Sequence, residues 1–115
     1  MTIRKSTKEK INQKISEYSN ITMIYGGATE QTLNTRKTQH IETDNRFNGM
    51  KIKCVHTTAS HKTAKEAEEY LIEFLDKKFK KKCINNHNNN GTIAQRGGAG
   101  LPENHKKYRI YIMFK

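Results

Sequence analysis

Glu68 sits where a carboxylate is not expected. At 100° per residue, Ala64, Leu71, Ile72, Leu75 and Phe79 form one broad apolar face of a helix, and Glu68 falls in its middle. Glu66, Glu69, Glu73 and Asp76 fall on the opposite, solvated side. A carboxylate aimed at a core is costly unless it is paired or bound to a metal. A buried ion pair with one of the many lysines or arginines is the commoner arrangement; a cation is the other. A second anomaly lies upstream, where Leu33, Arg36 and His40 stand at i, i+3 and i+7 on one helical stripe. Arg36 and His40 are neighbours there, with Leu33 holding the adjacent turn down. An arginine fork suits a phosphate, and an imidazole can move a proton near neutrality. An exposed surface pair satisfies the same spacing.

Other groups carry weaker signals. Cys54-x-His56 and Cys83-x₃-His87 supply two thiols and two imidazoles, but the spacings match no common zinc finger, so zinc is not expected. Lys77–Lys82, broken only by Phe79, reads most simply as a solvated helix end, where cations also suit the dipole. Lys78, Lys81 and Lys82, joined to the N-terminal lysines and Arg96, would make a surface that tracks phosphates.

These residues need elements to position them. Ser6 and Glu9 have capping-box spacing, and Ile11, Ile15 and Tyr18 recur at helical intervals, which predicts a helix over Thr7–Tyr18. Ile21–Tyr25 reads as a short strand ended by Gly26 and Gly27, and Thr29 as the N-cap of a helix to about Ile41. Asp44–Gly49 is a turn-rich loop. Met50–Thr57 alternates as a strand, and Thr63 with Glu66 predicts the start of the longest helix, to about Lys82. Ile84–Gly100 reads as a long Asn/Gly loop, and Tyr108–Phe114 is the clearest strand signal. The expected fold is α+β: a small, mostly antiparallel three-stranded sheet flanked by helices. One domain spans 1–115, with an N-terminal helix (1–18), a core (21–98) and a C-terminal strand (108–114).

Composition narrows the function classes. The 115 residues carry 22 Lys and Arg against 11 Asp and Glu, a formal charge of +11. A small basic domain of this kind usually meets a polyanion, so nucleic acid is the expected partner. No apolar run approaches the ~20 residues that span a bilayer, and Met1–Tyr18 is too charged for a secretory signal. Two cysteines are too few for a disulfide scaffold and fit an intracellular setting.

Tyr25-Gly26-Gly27-Ala28-Thr29, followed by Leu33, Arg36 and His40, resembles the second half of the GIY-YIG nuclease signature. Glu68-Glu69-Tyr70-Leu71-Ile72 matches that family's Glu-x-x-Leu-Ile helix, and Asn85 its later Asn. The resemblance runs over 21–98 and selects Glu68 independently of the helical geometry. The family's first strand, with Gly-Ile-Tyr about ten residues before Tyr25, has no counterpart here; Tyr18 ends the helix in that place. The C-terminal strand could stand in for it and bring Tyr111 or Tyr108 to the site. The resemblance implies DNA phosphodiester hydrolysis with one Mg²⁺ (or Mn²⁺) on Glu68. Arg36 would neutralise the phosphoryl oxygens, Tyr25 and His40 would handle water and proton, and Asn85 would support the site. Without a separate recognition domain, site specificity would need a homodimer or a targeting partner. The competing expectation is a basic nucleic-acid-binding or virion-type structural protein that kept the fold and lost the chemistry.

Overall fold

The computed structural model describes residues 4–85 and 101–115. Its elements run α1 (Lys5–Ser16), β1 (Ile24–Thr29), α2 (Leu33–Thr43), β2 (Lys51–Thr58), α3 (His61–Phe79) and β3 (Tyr108–Phe114). Single 3₁₀ turns follow α2 at Asn45–Phe47 and α3 at Lys80–Lys82. The three strands form one antiparallel sheet in the order β1-β3-β2, so the C-terminal strand occupies the centre.

That position suits its sequence. Tyr108, Ile110, Tyr111, Ile112 and Met113 are all buried, as expected of a strand paired on both sides and covered on both faces. One apolar cluster joins Ile110 and Ile112 to Ile11 and Ile15 of α1 and to Leu71 and Leu75 of α3. A second cluster, containing Tyr25, Phe47, Met50, Tyr111 and Met113, draws in Leu33 and Ile41 of α2. Alternation along β3 therefore sends Tyr111 to one face of the sheet and its neighbours Ile110 and Ile112 to the other.

Several boundaries differ from the sequence reading. Ser6 lies inside α1, whose N-cap is Arg4 without a side-chain cap, and Tyr18 falls beyond the helix, stacked 4.6 Å from Phe114. β1 begins at Ile24 and runs through Gly26 and Gly27 instead of ending there. Both glycines are needed inside the strand. A Cβ on Gly26 would lie 2.9 Å from Leu75, and one on Gly27 would lie 2.5 Å from the Tyr111 hydroxyl oxygen. Thr32, not Thr29, caps α2; the Thr29 hydroxyl accepts instead from the Gln31 amide. Ser60, not Thr63, caps α3, its hydroxyl accepting from the Thr63 amide at 3.2 Å. α3 stops at Phe79, where Lys80 turns to φ 53° and the chain tightens into the 3₁₀ turn. The alternation of β2 breaks at a bulge between Cys54 and His56, which turns Val55 into the helix-covered core.

The residues after that turn act as a short fourth edge. Cys83 bridges Ile24 in parallel, and the Ile84 amide donates to the Ile24 carbonyl at 2.8 Å. Asn85 extends this pairing with its side chain: Oδ1 accepts from the Gly26 amide and Nδ2 donates to the Gly26 carbonyl, both at 2.7 Å. No described helix is long and apolar enough to cross a membrane.

Candidate functional site

Tyr111 is the centre on which the predicted residues converge. It lies on the middle strand, 1% exposed, with its hydroxyl over the bare backbone of Gly27. His40, on the last turns of α2, places Nε2 2.8 Å from that hydroxyl. Arg36, one turn earlier on the same helix, lies beside the same phenol, close enough to act on its charge, and donates from Nη1 to the Gln39 side chain at 2.9 Å. The i, i+4 spacing thus delivers a guanidinium and an imidazole to one phenol.

The tyrosine of β1 completes an aromatic box. Tyr25 packs edge-on against His40, with ring centroids 4.9 Å apart, and lies 6.5 Å from the Tyr111 ring. Phe47, from the turn after α2, closes the remaining side at 5.0 Å from Tyr25 and 4.5 Å from His40.

Electrostatics fixes where the protons are. Burial, reinforced by the Arg36 charge, lowers the His40 pKa to about 4, so the imidazole is neutral at pH 7. Burial also raises the Tyr111 pKa well above the usual phenol range; the neighbouring Tyr25 and Glu68 add to this, and Arg36 opposes it. Burial would lower the Arg36 pKa, but the Tyr111 hydrogen bond and nearby Tyr25 and Glu30 more than offset it. Arg36 can only donate, so toward it the Tyr111 oxygen is an acceptor, while the Tyr111 hydroxyl and His40 Nε2 share one hydrogen bond at 2.8 Å.

Glu68 is 4% exposed, and its charge is felt at the Tyr111 hydroxyl. The structure thus gathers Tyr25, Arg36 and His40 around Tyr111, while Glu68 is buried on α3, which packs on the other face of the sheet. Of the alternative tyrosines, Tyr108 lies elsewhere, donating to the Pro102 carbonyl at 2.8 Å, and Tyr18 packs at the end of α1. Asn85 spends both ends of its amide on the Gly26 backbone of β1, where it positions the strand. Lys78, Lys81 and Lys82 are exposed around the end of α3, and Arg96 lies outside the described residues.

Among the described residues, Cys54, His56 and Cys83 do not form one group. The Cys54 thiol faces the His56 carbonyl at 3.4 Å. Cys83 is buried against Asn85, with its pKa pushed up to about 11 by burial, and His87 lies outside the described residues. Among the described residues, no three His, Cys, Asp or Glu side chains group as metal ligands.

Sequence reasoning missed Phe47, a lone aromatic in a turn-rich loop with no periodicity to mark it. It also missed Gly27 as the floor under Tyr111, since a strand-ending glycine and a glycine cleared for a ring look alike in sequence. No protein-family model, curated protein or solved structure matches the chain.

Proposed function

We propose that the chain is a metal-dependent DNA endonuclease of the GIY-YIG type, with Tyr111 on β3 replacing the tyrosine of the family's missing first strand. The observation carrying this reading is the meeting of Arg36, His40 and Tyr25 around the Tyr111 side chain, together with the buried carboxylate of Glu68 on α3. In this reading Tyr111 takes a proton from the attacking water as it passes its own to His40 Nε2. An incoming phosphodiester sets negative charge against Arg36 and so relieves the repulsion that adds to burial in keeping His40 neutral. Arg36 then holds the phosphoryl oxygens as charge builds on them. Tyr25 orients the water or the phosphate, and Asn85 keeps β1 in place beneath.

The donor set fits an oxygen-seeking cation of the Mg²⁺ or Mn²⁺ kind. Mg²⁺ is commonly held by one or two carboxylates, waters and substrate phosphates, and Glu68 is the carboxylate that would hold it. Bound there, it would supply charge neutralisation at the scissile phosphate and the leaving oxygen.

Plasmid nicking with Mg²⁺, with and without EDTA, tests the reading. Glu68→Gln and Tyr111→Phe should each lower cleavage by at least about 100-fold while the chain stays folded. Glu69→Gln, on the solvated face, should cleave like wild type.

The depth of the cluster favours a second reading, a basic nucleic-acid-binding protein without catalysis. Tyr111, Glu68 and His40 are 1%, 4% and 7% exposed, a burial that suits a structural network as well as a reacting one. Absence of cleavage with any divalent metal, with Glu68→Gln changing only the melting temperature, would establish it in place of the first.

A further inference from the structure

On the opposite side of the sheet from Tyr111, the first turns of α1 and α3 face each other across a cavity of about 480 Å³ that includes the end of β2. We propose that this cavity binds a phosphate group. It is independent of the nuclease reading, sharing no residue with the cluster around Tyr111.

Two helix N-termini meet there, of 12 and 19 residues, each with backbone N–H groups that lack intrahelical acceptors and with the positive end of its dipole. Only part of this donor set is satisfied. Ser60 caps one amide of α3, whereas α1 has no side-chain cap at all. A single helix end would be unremarkable; two converging ends with added cations make an anion site.

Thr7 supplies the independent sign of a ligand. It occupies the core-facing stripe of α1 with Ile11 and Ile15 and is only 8% exposed, yet it lines the cavity. Its hydroxyl has no hydrogen-bond partner among the described residues, although buried hydroxyls are nearly always paired. Arg4 and Lys10 stand on the same wall, exposed, with no carboxylate within 4 Å among the described residues. His56 contributes from β2; burial and then the Lys10 charge lower its pKa, so it offers a neutral ring. Glu66, half-buried, brings negative charge to the lining and weakens the site without cancelling the rest. Hydroxyl, guanidinium, ammonium and backbone donors around one space match a ligand with several acceptor oxygens and a full charge. A phosphate on a nucleic-acid backbone and a free phosphate share that chemistry.

Amide shifts of the ¹⁵N-labelled full chain, titrated with inorganic phosphate at ionic strength held constant with chloride, test the proposal. Saturable shifts at Thr7 and around Ser60–Thr63, with Gly27 and Tyr111 unmoved, are expected. Thr7→Val and Lys10→Gln should each weaken binding about fivefold to tenfold, and Thr7→Ser should retain it. Shifts that grow linearly without saturating, or affinities unchanged in both Thr7→Val and Lys10→Gln, would overturn the site. A short DNA duplex moving the same amides at lower concentration assigns the phosphate to a nucleic-acid backbone; movement with inorganic phosphate alone assigns it to a small ligand. Glu68→Gln should bind phosphate like wild type, so this result stands apart from the outcome of the nicking assay.

Discussion

His40 is a neutral imidazole boxed by three aromatic rings, beside a guanidinium that opposes its protonation and with Asp44 at the helix end weakly favouring it. The folded state therefore resists a proton that the unfolded chain accepts near pH 6.5. With the folded pKa depressed, the unfolded state binds more protons between pH 6.5 and about 4, so stability is full above 6.5 and falls as pH drops through that window. A shift of this size corresponds to about 3 kcal/mol between pH 7 and pH 4. Urea denaturation of wild type and His40→Gln at pH 7, 5 and 4 should show a fall that is steeper in wild type by roughly that amount. Parallel pH profiles would mean that His40 titrates normally and is not held as a neutral partner of Tyr111. At this scale the sequence was informative. The helical spacing of Arg36 and His40 marks two of the groups around Tyr111, and the misplaced charge of Glu68 marks a carboxylate that is buried on α3. What spacing could not say is which tyrosine Arg36 and His40 meet, because Tyr111 joins them through strand pairing between residues more than 70 positions apart.

At the level of elements, β1 is an edge strand whose middle is nearly bare, and this bareness lets α3 and the Tyr111 ring close on it from opposite sides. Gly26 meets Leu71 and Leu75, whose ends can rotate, whereas Gly27 meets a ring fixed by His40 and Arg36. Gly27→Ala should therefore be the more harmful change. It should cost about 1–3 kcal/mol by overpacking and push the Tyr111 hydroxyl off His40, with Gly26→Ala costing less. Denaturation midpoints give the first comparison, and the His40 pKa followed by NMR gives the second, since loss of the enclosed box should raise it. Equal stabilities with an unchanged His40 pKa would show that the ring has room to move. This contrast also explains which boundaries the sequence concealed. Strand content was legible in β3, where every residue type favours a sheet, and in β2 up to its bulge. It was not legible in Gly26-Gly27-Ala28, where glycine's poor strand propensity is overridden by the close approach of two other elements. The starts of α2 and α3 were misplaced for a related reason: several Ser and Thr residues lie within a turn of each N-terminus, and the one that caps is chosen by where the preceding chain leaves the sheet.

At the scale of the whole molecule, few ion pairs among the described residues offset the excess of positive charge. Among the described residues the ion pairs are Arg46 with Asp44 at 2.7 Å and the long contact of His61 with Glu103. No lysine ammonium lies within 4 Å of a carboxylate in that part of the chain. Lys78, Lys81 and Lys82 project together, exposed, from the end of α3 and the turn after it. Exposed like charges at this density repel one another, and a polyanion relieves that repulsion while releasing its own condensed counterions. On the nucleic-acid reading, the logarithm of the DNA association constant should fall linearly with the logarithm of salt concentration. Each lysine that meets a phosphate contributes about 0.9 to that slope on a duplex. Replacing Lys78, Lys81 and Lys82 together with Gln should lower the slope by roughly 2–3 and weaken binding similarly across unrelated sequences. Because all three are exposed and none is ion-paired among the described residues, the triple variant should keep the wild-type melting temperature, which separates lost contacts from lost fold. An unchanged slope with intact folding would assign the lysine run to solvation alone and move the search for the duplex-facing surface to the other lysines. A slope reduced by the expected amount in a protein that never cleaves would point to the second reading, in which the cluster around Tyr111 holds the sheet together and the lysine surface carries the function.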